Sequence, residues 1–129
     1  MIGFLTYILP TTLRMGTPIA FAAMGGVISQ KAGVNNIGIE GMMVVGAFMG
    51  VLGSYLTGNP YIGILLAMVG GAAMALIHAF LCVTVGAKQP ISSMAINLFS
   101  EGICGVLVTN IFHTAGTSAL VANIPNTPC

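Results

Sequence analysis

The chain has 129 residues, 57% of them hydrophobic and 4% charged, with a formal net charge of +1 and a mean hydropathy of +1.03. A soluble domain carries about 25% charged residues, and five charged side chains (Arg14, Lys31, Glu40, Lys88 and Glu101) are too few to cover a water-facing surface. The composition therefore excludes a soluble domain, argues against a nucleic-acid partner, and reads as an all-α, polytopic membrane protein with about four transmembrane helices.

The first apolar segment runs from about Phe4 to Ser29 and contains Pro10 and Pro18, with Arg14 between them. No basic residue precedes Met1–Pro10 and no polar domain follows, so the segment is expected to stay in the membrane rather than be cleaved. Arg14 either precedes the span or snorkels to the interface. Pro18 is expected to kink the helix because it lacks a backbone donor. Ala22 and Gly26 form a small-xxx-small edge suited to helix packing.

Lys31 to Met43, KAGVNNIGIEGMM, is where polar residues interrupt the apolar sequence in a pattern. Asn35 and Asn36 are adjacent, and Glu40 follows Asn36 by one helical turn, so Asn36 and Glu40 are expected to share a face. Gly33, Gly38 and Gly41 allow bending or close approach. An acid at a bilayer centre costs roughly 2.5–3.5 kcal/mol and less near an interface, which marks Glu40 as a candidate functional residue. A capping role competes with that reading, since Asn36 is placed to cap the next helix and Glu is favoured near a helix start.

The second segment, Ile37 to Leu56, is one hydrocarbon thickness long at about 1.5 Å per residue. Gly46, Gly50 and Ser54 make a close-approach stripe along it. Val45 is taken as a lipid-facing position. Thr57-Gly58-Asn59-Pro60 reads as a turn. The third segment, Tyr61 to Val85, carries the small stripe Ala67, Gly71, Ala75 and Ala79, and also His78, a core histidine with one hydrogen bond or a residue lining a path. Gly86 to Pro90 is the next polar break. In the fourth segment, Ile91 to Phe112, Asn97 and Glu101 lie one turn apart. Glu101 would sit about 15 Å deep, facing protein, within reach of Asn97 and of His78 if the third and fourth helices are antiparallel neighbours. His113 to Cys129 reads as an extracytoplasmic loop or tail. Two lysines, Lys31 and Lys88, against Arg14 put the lysine side in the cytoplasm. Cys82 and Cys104 lie in apolar runs and Cys129 ends the chain, a spacing that suits neither a disulfide framework nor a metal site. No HExxH, GxSxG or paired-aspartate pattern is present, which argues against an enzyme, a metal or a cofactor.

The run TPIAFAAMGG at Thr17–Gly26, the run KAGVNNIGIEGMM and then Gly46-Ala47-Phe48 resemble the first third of bacterial ABC importer permeases. The branch is that for nucleosides and simple sugars, related to the branched-chain amino acid permeases. The likeness continues weakly through His78-Ala79-Phe80-Leu81 and Ala95-Ile96-Asn97-Leu98. The resemblance implies a multi-pass subunit of a bacterial plasma membrane, paired with a second permease subunit. It further implies ABC ATPase subunits as partners and an extracytoplasmic substrate-binding lipoprotein that feeds the permease. It implies cytoplasmic loops at Lys31 and Lys88, and it places Asn36, Ile37, Gly38, Glu40 and Gly41 at the start of a helix beside the pathway. Family permeases are more than twice this length, so residues 1–129 are expected to form a single membrane domain that is the N-terminal part of a longer permease. Glu101 departs from the family pattern. A self-assembling four-helix transporter or pore with an intramembrane Glu is the competing reading from length alone.

Overall fold

A computed structural model of the chain describes residues 2–113, and the expected tail from Thr114 to Cys129 falls outside them. The described residues contain four α-helices and no strand: α1 (Ile2–Lys31), α2 (Ile39–Thr57), α3 (Pro60–Ala79) and α4 (Gln89–Phe112), with a π-helical turn, Phe80–Thr84, continuing α3. The chain divides into two compact units, Met1–Asn36 and Ile37–Cys129.

The first unit is α1 and its exit. Pro10 and Pro18 both lie inside this 30-residue helix. Each withdraws one backbone donor, and two nearby hydroxyls bond back to carbonyls four residues earlier: Thr11 Oγ1 donates to Tyr7 O at 2.9 Å and Thr17 Oγ1 to Leu13 O at 2.6 Å. The helix stops at a left-handed glycine, Gly33, with φ 85°. Val34 N donates to Ser29 O and Gly33 N to Gln30 O, the paired bonds that satisfy the last carbonyls of a helix. Lys31 lies in the last turn, where the helix dipole favours a cation. Ala22 and Gly26 are half-buried.

The second unit holds α2, α3 and α4, and these three are long and apolar enough to cross a membrane. α1 is longer but lies outside that set, so the expected first span is a helix whose polar residues, Thr11, Thr12, Arg14 and Thr17 among them, dilute its apolar character. α2 ends at Gly58, whose φ of 65° lets its N–H reach Ser54 O. Asn59 caps α3 by accepting from Tyr61 N at 3.0 Å, with Pro60 in the first turn where a missing N–H costs nothing. The predicted turn at 57–60 is therefore present. The last turn of the third segment is wider than expected: Val85 N bonds Phe80 O, five residues back, before Gly86 turns with φ 71°. α4 starts at Gln89 and closes on left-handed His113.

α2 packs most extensively on α3, and next on α4. Tyr55 near the end of α2 meets Phe112 at the end of α4 edge-on, with ring centroids 5.2 Å apart. The start of α2 meets the first half of α4, so α2 and α4 run parallel, and the short turn makes α3 antiparallel to both. Among the described residues only Met74, Ile96 and Cys104 are buried apolar side chains, whereas Leu65, Met68, Leu76, Val83 and Leu98 are exposed. The interior is made of small and polar residues and the periphery of large apolar ones, as expected for helices solvated by lipid.

The α2–α3 seam uses Gly46, Met49, Gly50, Gly53 and Ser54 of α2 against Gly63, Ala67 and Gly70 of α3. A methyl on Gly63 would lie 2.7 Å from Gly50 O, and one on Gly50 would lie 3.3 Å from Ala67 Cβ. The stripe expected on α3 is thereby corrected. Gly71 is at its edge, 3.8 Å from Met42 O at the position of a methyl, and Ala75 is exposed. A strict every-fourth-residue stripe drifts round a helix of 3.6 residues per turn, whereas Gly63, Ala67, Gly70 and Met74 step by four, three and four, close to the helical period, and stay on the partner. Val45 is half-buried, with Cγ1 3.7 Å from a methyl position on Gly70, so it is not the lipid-facing residue expected.

Candidate functional site

The patterned stretch Asn35–Gly41 is where the chain passes from coil into α2. Asn36 is not the N-cap residue of that helix. α2 starts at Ile39 with Gly38 as its N-cap residue, and Gly38 offers no side chain to the free N–H groups of the first turn. The cap comes from α4 instead. Asn97 Oδ1 accepts from Gly41 N at 2.8 Å, the third helical position, where a capping side chain normally bonds. Asn97 Nδ2 donates to Ile37 O at 3.4 Å, and Ile37 N donates to Ser93 Oγ at 3.3 Å. Two α4 side chains thus hold both ends of the Ile37–Gly41 entry.

Gly41 is what permits this closeness. A methyl there would lie 2.9 Å from Asn97 Cα, from Asn97 Oδ1 and from Ser100 Oγ, so any side chain would force α4 away. The space expected beside Gly41 for a solute or a neighbour is filled by α4. Ser100 is fully buried, and its hydroxyl has no hydrogen-bond partner. It lies 2.9 Å from the position that a methyl on Gly41 would have to take. Ser93, Asn97, Ser100 and Cys104 recur at i, i+4, i+7 and i+11 and form one buried or half-buried stripe facing α2.

Ser92, one residue away, faces α3. Its Oγ lies 3.2 Å from Nδ1 of His78, which is 2% exposed. Cys82 Sγ is 3.7 Å from His78 Nε2. His78 therefore joins α3 to α4 through one hydroxyl and has no part in a Glu101 pair.

The remaining candidates are dispersed. Asn35 is exposed and Asn36 half-buried, both ahead of α2, so the helical face expected for Asn36 and Glu40 does not form. Glu40 is exposed in the first turn of α2, where the helix dipole favours an acid. Gly38 is buried. Glu101 is exposed and makes no hydrogen bond or ion pair with another described residue, while the Asn97 side chain is directed at α2. Among the described residues no group of three metal-ligating side chains occurs. Sequence reasoning missed Ser92, Ser93, Ser100, Gly53, Gly63 and Gly70. The helical spacing of Ser93 and Ser100 with Asn97 was the available signal for two of them.

The start of α2 is thus closed by neutral hydrogen-bonding side chains of a parallel, membrane-length helix. Residues 8–128 match the family of branched-chain amino acid transport system permease components, and the chain belongs to it. It is 36% identical to the guanosine ABC transporter permease protein NupQ of Bacillus subtilis, over 93% of this chain and 40% of that protein. It is 30% identical to the nucleoside ABC transporter permease protein NupC of Lactococcus lactis, over 90% of this chain and 38% of that protein. A Haloferax volcanii relative named provisionally as a glucose ABC transporter permease is 38% identical over 78% of this chain and 31% of that protein. The chain thus spans less than half the length of the curated relatives it matches. No solved structure matches it.

Proposed function

We propose that this chain supplies the first helices of a permease subunit in an ATP-driven importer for nucleosides or simple sugars, in a bacterial plasma membrane. The observation that carries the reading is the family match across residues 8–128, with two relatives named for guanosine and nucleosides supporting the nucleoside arm. In this reading the partners are a second permease subunit, ABC ATPase subunits that hydrolyse ATP, an extracytoplasmic substrate-binding lipoprotein and membrane lipid. The Lys88 loop is cytoplasmic, as the charge bias favours. Nothing in the helix packing favours a self-assembling four-helix pore.

The α2–α4 contact supplies a physical mechanism. Alternating access needs helices that shift while their polar groups stay satisfied. The α2–α3 glycine seam is closely packed. The α2–α4 contact rests on a few hydrogen bonds from Asn97 and Ser93, which a solute hydroxyl or amide can replace. When α4 shifts, the first-turn N–H groups of α2 and the Ser100 hydroxyl become donors for a neutral polar solute. Nucleosides and sugars bind through such groups rather than through charge.

The test is uptake of labelled guanosine and of labelled glucose by the complete importer carrying Asn97→Ala, Asn36→Ala or Glu40→Gln. Asn97→Ala is expected to reduce uptake strongly with insertion intact, while Leu65→Ala, at a position 64% exposed on α3, leaves it unchanged. Normal uptake with Asn97→Ala defeats the mechanism. Uptake of neither solute by the unmodified importer defeats the substrate assignment.

A further inference from the structure

α4 has a second face that the three-helix unit leaves open. Leu98, Glu101, Gly102, Gly105 and Thr109 fall at i, i+3, i+4, i+7 and i+11, the spacing of a helix-packing seam. All five are exposed, and methyls added at Gly102 or Gly105 would meet nothing within 4 Å. The Thr109 hydroxyl donates to Gly105 O on its own helix at 2.9 Å, so its donor is already used. Glu101 stands at the middle of this face, twelve residues after Gln89 and eleven before Phe112 in the 24-residue helix. At 1.5 Å per residue it is about 17 Å from either end, the deepest position a spanning helix has.

A carboxyl group there, exposed and without a partner among the described residues, cannot be left to lipid. We infer that this face docks another transmembrane helix of the same assembly, and that this helix carries a cationic or amide donor (Arg, Lys, His, Asn or Gln) opposite Glu101. Gly102 and Gly105 let the two backbones approach closely, and Glu101 fixes the register through one charge-assisted hydrogen bond. A second copy of this chain is the wrong occupant. A two-fold contact through this face would bring Glu101 against Glu101, like charges in a low dielectric. The proposed face is distinct from the α2-facing stripe of Ser93, Asn97, Ser100 and Cys104, and its occupancy does not depend on which solute is carried.

The test places a photoreactive amino acid at Leu98 or at Thr109 in membranes holding the complete importer, with cross-linked peptides mapped by mass spectrometry. Both positions are expected to link to one transmembrane helix bearing Arg, Lys, His, Asn or Gln. Glu101→Leu, which inserts at least as readily as the parent, should lower the yield about 5-fold or more, whereas Glu101→Gln should retain most of it. Gly105→Leu, which fills the seam without touching the charge, should also lower it. Adducts with lipid only, links to a second copy of this segment, links to a helix without a donor, or a yield indifferent to Glu101→Leu would each overturn the inference.

Discussion

α2 has two neighbours and meets them by different physics. Its contact with α3 is a run of glycines in which a methyl on Gly63 would lie 2.7 Å from Gly50 O, and one on Gly53 2.6 Å from Leu66 Cδ1. Its contact with α4 is centred on one glycine, Gly41, and on hydrogen bonds from Ser93 and Asn97. Lipid removes the usual hydrophobic drive between helices, so both seams rely on close packing and polar pairing. The glycine seam has many contacts and no single replaceable one. The polar seam has a few exchangeable bonds, and its partners are main-chain groups at a helix start. The difference teaches where the proposed transport mechanism would put the movement: in the α2–α4 contact, with α2 and α3 kept together by their glycine seam.

The sharpest way to break the comparison is to overfill the glycine seam. Gly63→Leu should be the most damaging substitution, costing about 1–3 kcal/mol or more, read as loss of folded protein on extraction into mild detergent. A well-folded Gly63→Leu chain would show that the α2–α3 approach is loose. Asn97→Leu comes next. It removes the cap of Gly41 and leaves that N–H and Ile37 O unpaired, at a cost of about 1–2 kcal/mol, measured by unfolding in mixed micelles. Asn97→Asp should recover part of that loss, because a carboxylate still accepts from Gly41 N. Ser92→Ala, which removes the hydroxyl beside His78, should cost about 0.6 kcal/mol, the average for a hydrogen bond between membrane helices. Glu40→Gln should change stability least, by about 0.5 kcal/mol or less, since Glu40 is exposed and its favourable term is the helix dipole.

The helices were legible because apolar runs and Gly/Pro breaks report directly on what lipid tolerates, and segment ends fell within a few residues of those observed. The turn at Thr57–Pro60 was legible for the same reason, since Gly58 and Asn59 are residues a tight turn requires. The cap of α2 was not. Asn36 has the right residue type two positions before the N-cap, and only the parallel placement of α4 brings Asn97, 56 residues on from Gly41, to the site. The α3 stripe was half legible: Ala67 is in the seam and Ala75 is exposed, because the partner selects positions that follow the helical period from several small residues on offer. Glu101 was expected to pair with Asn97 one turn away. Sequence spacing gives proximity along the helix but does not say that a neighbouring backbone claims the amide first.

The central claim is that the start of α2 is held by a side chain from α4. Amide exchange at Gly41 tests it most directly, followed by NMR on glycine-labelled chain in lipid nanodiscs for the parent and for Asn97→Ala. The account predicts a slowly exchanging Gly41 N–H in the parent and exchange about 5–10-fold faster in the variant, the equivalent of losing about 1–1.4 kcal/mol, with the glycines of the α2–α3 seam unaffected. Equal protection in the two proteins, or a Gly41 amide already free to exchange in the parent, would contradict it.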